Sequence, residues 1–411
     1  MNFNPPKGTD DIFPPASRAW RRALSIWERL AERYGYDLVI GPIFESTEVF
    51  ARGVGESTEV VQKQMYTFED KGGRSLTLRP EGTASVVRAY LGSGSQGVAK
   101  LAYAGPMFRY ERPQAGRRRQ FFQTGVEYVA TASPDADAEV VELGYRFLEE
   151  LGLDQVTVAL NSIGDSVCRP AYLEVLRAYL DGQRDVLCDE SLRNLETNPL
   201  RVLDCKVCAP ILSDAPNAVD FLCDDCTAHF DSVRARLDSV GIPYRLEPRL
   251  VRGLDYYTRT AFEYIATGFD AAQNAVGGGG RYDGLAEALG GPAVPGVGLA
   301  MGIDRILLAA GDDGTDVVPL DLFIIVAAPE RREVAARFLS ELRLAGVRAD
   351  MAPEQRSVKA QFRAADRRQA AGVAIVGVEW EDDRVVVRNL SKSTQDVIKR
   401  EEVAAWAKGN R

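Results

Sequence analysis

With 411 residues, 45% hydrophobic and 27% charged, the chain is long enough for about two or three domains and has the make-up of an ordinary soluble globular protein. No apolar run reaches the roughly eighteen residues of a membrane span, and the opening MNFNPPKGTDDIFPP lacks a charged-then-apolar signal layout, so the expectation is a cytoplasmic protein with no membrane contact. The net charge of −9 argues against a nucleic-acid partner only until its distribution is read: residues 321–411 hold 17 Lys/Arg against 14 Asp/Glu, a net +3 that can track a phosphate backbone locally.

In chain order, Trp20, Leu24, Trp27, Ala31 and Tyr34 recur at helical spacing, and the pattern predicts an amphipathic helix from Ser17 to Tyr34 that stops at Gly35. YDLVIGPIFE (36–45) reads as a strand with an edge or break at Pro42. Residues 75–89 run from a strand through Pro80-Glu81-Gly82-Thr83 into a helix. Glu81 there fits either a substrate ammonium or the positive end of the helix, with Thr83 as a possible cap.

Residues 106–128, PMFRYERPQAGRRRQFFQTGVEY, read as two antiparallel strands joined by a long loop. Strand alternation puts Arg109 and Glu111 on one face of the first strand, and Gln123, Gly125 and Glu127 on one face of the second. Five arginines (Arg109, Arg112, Arg117, Arg118, Arg119) fall within eleven residues, with Phe121 beside them. Fixed cations and carboxylates on rigid strands suit phosphoryl or adenylyl transfer, where catalysis is mostly positioning and charge stabilisation.

A helix is predicted over 135–151 and a strand over 156–164, after which residues 165–240 change character and read as an insertion between two halves of a core. Within it, Cys205-x2-Cys208 and Cys223-x2-Cys226 lie fourteen residues apart. Paired CxxC runs in a reducing compartment point to a structural zinc, with Cys188 or His229 as substitute ligands. From 244 to 265 the chain returns to strands, and alternation there places Arg252 and Leu254 on one face. Glycines 277–280 indicate close approach of backbone to a ligand or a neighbouring strand. VPGVGLAMGIDRILLA (294–309) gives small residues, then a helix with Arg305 near its start. Residues 321–411 alternate strands and helices, as a compact α/β domain with a largely parallel sheet does.

The stretch FRYERP…GRRRQFFQTGVE resembles motif 2 of the class II aminoacyl-tRNA synthetases. LVRGLDYYTR and GGGGRYDGL resemble the two motifs particular to histidyl-tRNA synthetases. The helix and strand before Pro42 resemble motif 1, the dimer-forming element, and the 294–309 stretch resembles motif 3. The resemblance implies an α+β fold, with an antiparallel class II catalytic core in two parts (1–165 and 241–315), an insertion (166–240) and an anticodon-binding α/β domain (320–411). It implies a homodimer that joins L-histidine to tRNA(His) through a histidyl-adenylate, using ATP with Mg2+.

Carried onto matching positions, the roles are these. Arg109 and Arg252 bind the α-phosphate and catalyse adenylation. Glu111, Arg117, Phe121 and Arg305 complete the ATP site. Glu81, Thr83, Gln123, Glu127, Tyr256, Tyr257 and Tyr282 hold histidine. Arg112 and Gln114 on the basic loop are expected to face the tRNA acceptor end, and Cys205, Cys208, Cys223 and Cys226 to hold the zinc. The rival reading is a synthetase-like regulatory subunit of histidine biosynthesis, which is expected to lack some of the ATP arginines and the C-terminal domain.

Overall fold

The computed structural model describes residues 3–56, 58–95, 97–114, 116–266, 274–315, 319–354 and 356–410. It forms two units, Met1–Thr315 and Asp316–Arg411.

The first unit begins with α1 (Ala16–Arg33), which buries Ala19, Ala23, Ile26, Trp27, Leu30 and Ala31, a face turned slightly from the predicted one. Its end is set by Gly35 at φ +77°, where the Tyr36 amide reaches the Ala31 carbonyl at 3.0 Å. The stretch 36–45 is split as Pro42 demands. β1 (Asp37–Leu38) and β2 (Phe44–Ser46) belong to two different sheets. There follow α2 (Thr47–Val54), β3 (Tyr66–Glu69), β4 (Ser75–Leu78) and α3 (Thr83–Gly92), with β2, β4 and β3 forming a small sheet.

The predicted hairpin is β5 (Ala99–Phe108) and β6 (Gln120–Val129), antiparallel, but the first strand stops at Phe108. Arg109 and Glu111 therefore lie on the loop beyond the strand rather than on its face. The chain continues through α4 (Pro134–Glu150), β7 (Val156–Ser162), α5 (Arg169–Asp181), α6 (Asp189–Thr197) and α7 (Asp224–Ser239) to β8 (Tyr244–Leu246). Residues 247–257 form no strand, which corrects the alternation assigned to Arg252 and Leu254. Asn161, buried on β7, donates its amide to the Pro248 and Leu250 carbonyls (3.1 and 2.9 Å) and holds this segment as a loop. The unit closes with β9 (Thr258–Ala266), β10 (Ala275–Arg281), α8 (Leu285–Ala288), β11 (Gly296–Gly302) and α9 (Ile303–Ala310).

Among the described residues these strands form an eight-stranded sheet in the order β1-β5-β6-β11-β10-β9-β7-β8, antiparallel except at its two edge pairs. Helices α1, α4, α7 and α9 cover one face and share one apolar core with it. Helix α7 falls within the span expected for the insertion, yet Phe230, Val233 and Leu237 pack into this core. A separate cluster around Tyr172, Leu176, Leu195, Val202 and Leu212 holds the rest of the insertion.

In the second unit, β12 (Leu322–Val326), α10 (Arg332–Leu344), β13 (Ala349–Met351), α11 (Val358–Arg367), β14 (Gly372–Val376), β15 (Arg384–Asn389), β16 (Thr394–Lys399) and α12 (Val403–Gly409) follow in order. The sheet runs β13-β12-β14-β15-β16, and only its first two pairs are parallel, so it is mixed rather than largely parallel. Strand β16 was not anticipated because TQDVIK is a mostly exposed edge with little apolar alternation. Along β12, Leu322, Ile324 and Val326 pack under α10 and α12, while Phe323 and Ile325 pack toward α11. No helix among the described residues is long and apolar enough to cross a membrane.

Candidate active site

The face of the large sheet opposite its helices floors a cleft of about 750 Å³. Two rows of cross-strand partners run through this part of the sheet, and Ala300, Gly278 and Glu263 of the first line the cleft. In one, Tyr103, Gly125, Ala300, Gly278 and Glu263 sit side by side on β5, β6, β11, β10 and β9. In the other, Glu127, Gly298 and Gly280 do so. The row partners share a face, so small residues leave room for large ones. A Cβ on Gly125 would lie 2.3 Å from the Tyr103 hydroxyl, and one on Gly298 only 1.8 Å from the Glu127 carboxylate. The glycine run of β10 thus does what its composition suggested: a Cβ on Gly279 would fall 2.0 Å from the Gly298 carbonyl oxygen, and one on Gly278 2.9 Å from the Arg252 guanidinium.

Glu127 is fully buried and accepts a 2.6 Å hydrogen bond from the Tyr282 hydroxyl at one oxygen, while its Oε1 has no aligned partner. Burial pushes its carboxyl up to about 8, against the pull of the Thr83 and Tyr282 hydroxyls. The Tyr103 hydroxyl is buried beside it, also without an aligned partner. Tyr256 packs between Tyr257 and Tyr282, tilted against the first and edge-on to the second, at ring distances of 4.6 and 5.9 Å. On the cleft wall, both Glu81 oxygens accept backbone amides of the first turn of α3, from Thr83 and Ala84 at 2.8 Å each. Glu81 therefore serves the helix end and the cleft together, since each oxygen keeps a second lone pair. Gln123 reaches across to accept the Gly82 amide at 3.2 Å.

The cationic end is built from three elements. Arg109, just past β5, is tied through Nε to the Pro80 carbonyl (2.8 Å), with its guanidinium 5.4 Å from the Phe121 ring. Arg305, in the first turn of α9, donates to the Gly116 and Ala275 carbonyls (3.1 and 3.0 Å). Burial, and then the Arg117 and Arg109 cations, hold its pKa below the ordinary value, which marks a site short of negative charge. Arg117 faces Glu111 at 3.7 Å. Arg252 is paired with Glu263 on β9. Burial is the largest influence and works against its charge, but that carboxylate together with the Tyr257 and Tyr256 hydroxyls outweighs burial and raises its pKa.

Of the residues expected from sequence, Glu81, Thr83, Arg109, Glu111, Arg117, Phe121, Gln123, Arg252, Tyr256, Tyr257 and Arg305 all line this one cleft. Glu127 and Tyr282 lie buried against it. Arg112 and Gln114 are exposed on the loop and do not line it. Sequence reasoning missed Tyr103 and Glu263; their signal was the period-2 alternation of LAYAG and TAFEYI read against the glycines of the neighbouring strands.

The metal expectation is corrected. The two CxxC runs do not meet: Cys205 and Cys208 gather with Cys188, whereas Cys223 and Cys226 gather with Cys168 and Asp165. His229 is no ligand either. It sits in the core with Nε2 at 2.7 Å from Asp137.

An antiparallel sheet with a cleft lined by arginines from the hairpin loop and from the helix after the last strand defines a class II aminoacyl-tRNA synthetase. The family described as Histidyl-tRNA synthetase matches residues 8–306, and that described as Anticodon binding domain matches residues 321–410. The chain is 49% identical to the histidine–tRNA ligase of Desulforudis audaxviator (98% of each chain covered) and 46% identical to that of Halothermothrix orenii (96% of each). Its fold matches the crystal structure of apo histidyl-tRNA synthetase from S. aureus with a TM-score of 0.81 at 38% identity, over 99% of this chain and all of that one. The chain belongs to the histidyl-tRNA synthetase family.

Proposed function

We propose that the protein ligates L-histidine to tRNA(His) in two steps, first forming histidyl-adenylate and diphosphate from ATP, then passing the histidyl group to the 3′-terminal ribose and releasing AMP. The observation that carries this reading is Glu127 Oε1, a buried acceptor with no aligned partner, on a side chain bonded to Tyr282 and buried against an arginine-lined cleft whose wall holds Tyr256 and Tyr257. An imidazole N–H satisfies that oxygen. A pocket so built discriminates strongly against side chains that cannot donate, because its own polar atoms then stay unpaired.

Glu81, Thr83 and Gln123 hold the α-ammonium, and Tyr256 lines the pocket. Phe121 stacks on adenine, Glu111 and Arg117 steady the nucleotide, and Arg305 takes the γ-phosphate. Arg109 and Arg252 fork donors toward the α-phosphate, where charge builds as the histidine carboxylate attacks. Mg2+ bound with ATP adds charge neutralisation on the phosphates. The one histidine of the chain is engaged by Asp137 outside the cleft, so proton removal from the attacking ribose falls to substrate oxygens.

Arg112 and Gln114, exposed on the hairpin loop, suit the acceptor end of the tRNA, and the mildly basic 321–411 segment suits the anticodon. Exposed Leu38, Ile40, Ile43, Phe44 and Phe68 around β1 to β3 favour burial in a homodimer. The regulatory-subunit reading is disfavoured, because Arg109, Arg252 and Arg305 line the cleft and the C-terminal unit is present. The test is ATP–diphosphate exchange with each amino acid in turn. Exchange with histidine alone is expected, and exchange with another amino acid, or none, overturns the reading.

A further inference from the structure

All six cysteines lie between 168 and 226 and fall into two groups of three. The group of Cys168, Cys223 and Cys226 includes a fourth ligand, Asp165, and the four ligand atoms lie within 4.8 Å of one another. Cys188, Cys205 and Cys208 also converge, but among the described residues no fourth protein ligand of this kind joins them.

The position of the four-membered group is informative. Asp165 and Cys168 occupy the turn between the end of β7 at Ser162 and the start of α5 at Arg169. Cys223 and Cys226 open α7. These are the two places where the chain leaves the core for the insertion and comes back. The turn is shaped around the sulfur: Gly164 has φ +65°, and a Cβ there would stand 2.7 Å from Cys168 Sγ. One Asp165 oxygen accepts the Val167 amide at 3.0 Å and lies 3.6 Å from Cys168 Sγ, while the other meets Arg259 at 3.1 Å. A ligating carboxylate steadied by an outer cation is the usual support for a metal ligand.

We propose that Asp165, Cys168, Cys223 and Cys226 bind one zinc ion and clamp the neck of the insertion onto the catalytic core. Three sulfurs and one carboxylate oxygen suit tetrahedral Zn2+. Zn–S bonds of about 2.3 Å put tetrahedral sulfurs about 3.8 Å apart, so ligand atoms already within 4.8 Å need to close by only about 1 Å. On binding, the three thiols give up their protons, leaving a centre of net charge −2. The guanidiniums of Arg259 and Arg169, both electrostatically coupled to Asp165 and Cys226, face that charge. Arg169 also carries the clamp to the histidine pocket, because it donates to the Tyr257 carbonyl at 2.9 Å.

The experiment is metal analysis of the full chain purified from zinc-supplemented cells, alongside its variants. The wild type is expected to hold at least one zinc per chain. Content falls by one in Cys168→Ser and in Cys223→Ser, while Cys205→Ser keeps this zinc. Cobalt loading of Cys205→Ser, in which the other group is already broken, gives a reading that does not depend on a variant of the proposed site. Tetrahedral ligand-field bands with thiolate charge transfer are expected there. Less than one zinc in the wild type overturns the proposal, as does a content unchanged by Cys223→Ser. An octahedral or absent cobalt spectrum overturns it too, as does a disulfide joining Cys168 to Cys223 or Cys226 in the freshly isolated protein.

Discussion

Two clusters of buried charge lie on opposite faces of the same sheet, and they differ in one respect. On the helix-covered face, Arg281 spends its donors on Asp137 (Nε at 3.2 Å and a short contact from the second terminal nitrogen), Asp283 (3.0 Å) and the Thr131 and Ser133 carbonyls (2.9 and 3.1 Å). Asp137 in turn also accepts from His229 at 2.7 Å and Thr260 at 2.6 Å. Burial alone would raise the Asp137 carboxyl, but the His229 hydrogen bond and the Arg281 charge hold it below its ordinary value. This cluster is closed on itself. On the cleft face, Glu127 Oε1, the Tyr103 hydroxyl and the Arg252 Nε have no aligned partners. A buried polar group left unpaired costs stability, so a site that keeps several of them keeps them for a ligand. One cluster holds the fold together, and the other is completed by substrates.

Breaking the closed cluster is expected to have the largest effect. Asp137→Ala takes its fully buried carboxylate from Arg281, leaving the partly exposed Asp283 as the remaining anion, and should cost about 3–5 kcal/mol of stability, read as a lower chemical-denaturation midpoint. Arg252→Ala should act on rate instead. A donor that stabilises charge in the transition state is worth on the order of 10²–10³ in rate, so diphosphate exchange should fall by that much with histidine binding little changed. Arg252→Lys should recover little of it, because an ammonium cannot fork two donors. Near-normal exchange in Arg252→Ala would reduce that residue to a structural partner of Glu263. Tyr103→Phe should have the smallest effect. It removes an unpaired hydroxyl, so the denaturation midpoint should hold, while histidine affinity drops by about 1 kcal/mol, measured by calorimetry.

The contrast between the clusters was only partly visible in the sequence. The cleft residues are nearly all on motifs whose alternation or glycine content is legible, as Gln123, Glu127 and Gly278 show. Arg252 was assigned to a strand face, and it lines the cleft from a loop instead. LVRGLDYYTR looks like a strand, but the Asn161 amide claims the Pro248 and Leu250 carbonyls at its start and keeps residues 247–257 a loop. Local composition cannot report a hydrogen bond made 87 residues away. The cysteines failed for the same reason: spacing pairs Cys205-x2-Cys208 with Cys223-x2-Cys226, whereas the topology returns α7 to the β7 exit and so to Cys168. His229 gave no local sign of its partner Asp137, 92 residues upstream on α4.

Glu127→Gln tests the distinction between the two clusters most directly, because the substitution keeps the shape and replaces an ionisable carboxyl with an amide that cannot titrate. Histidine-dependent diphosphate exchange should fall sharply and ATP affinity should stay near normal, while the denaturation midpoint at neutral pH holds or rises. The pH profile gives the sign. In the wild type the folded chain keeps, up to about 8, a proton that the unfolded chain loses near 4.5. The stability that this proton contributes is complete below 4.5 and is lost as pH rises through 8. The variant should lack that decline. Normal histidine-dependent exchange in Glu127→Gln, or a midpoint that falls as far as in Asp137→Ala, would contradict the account.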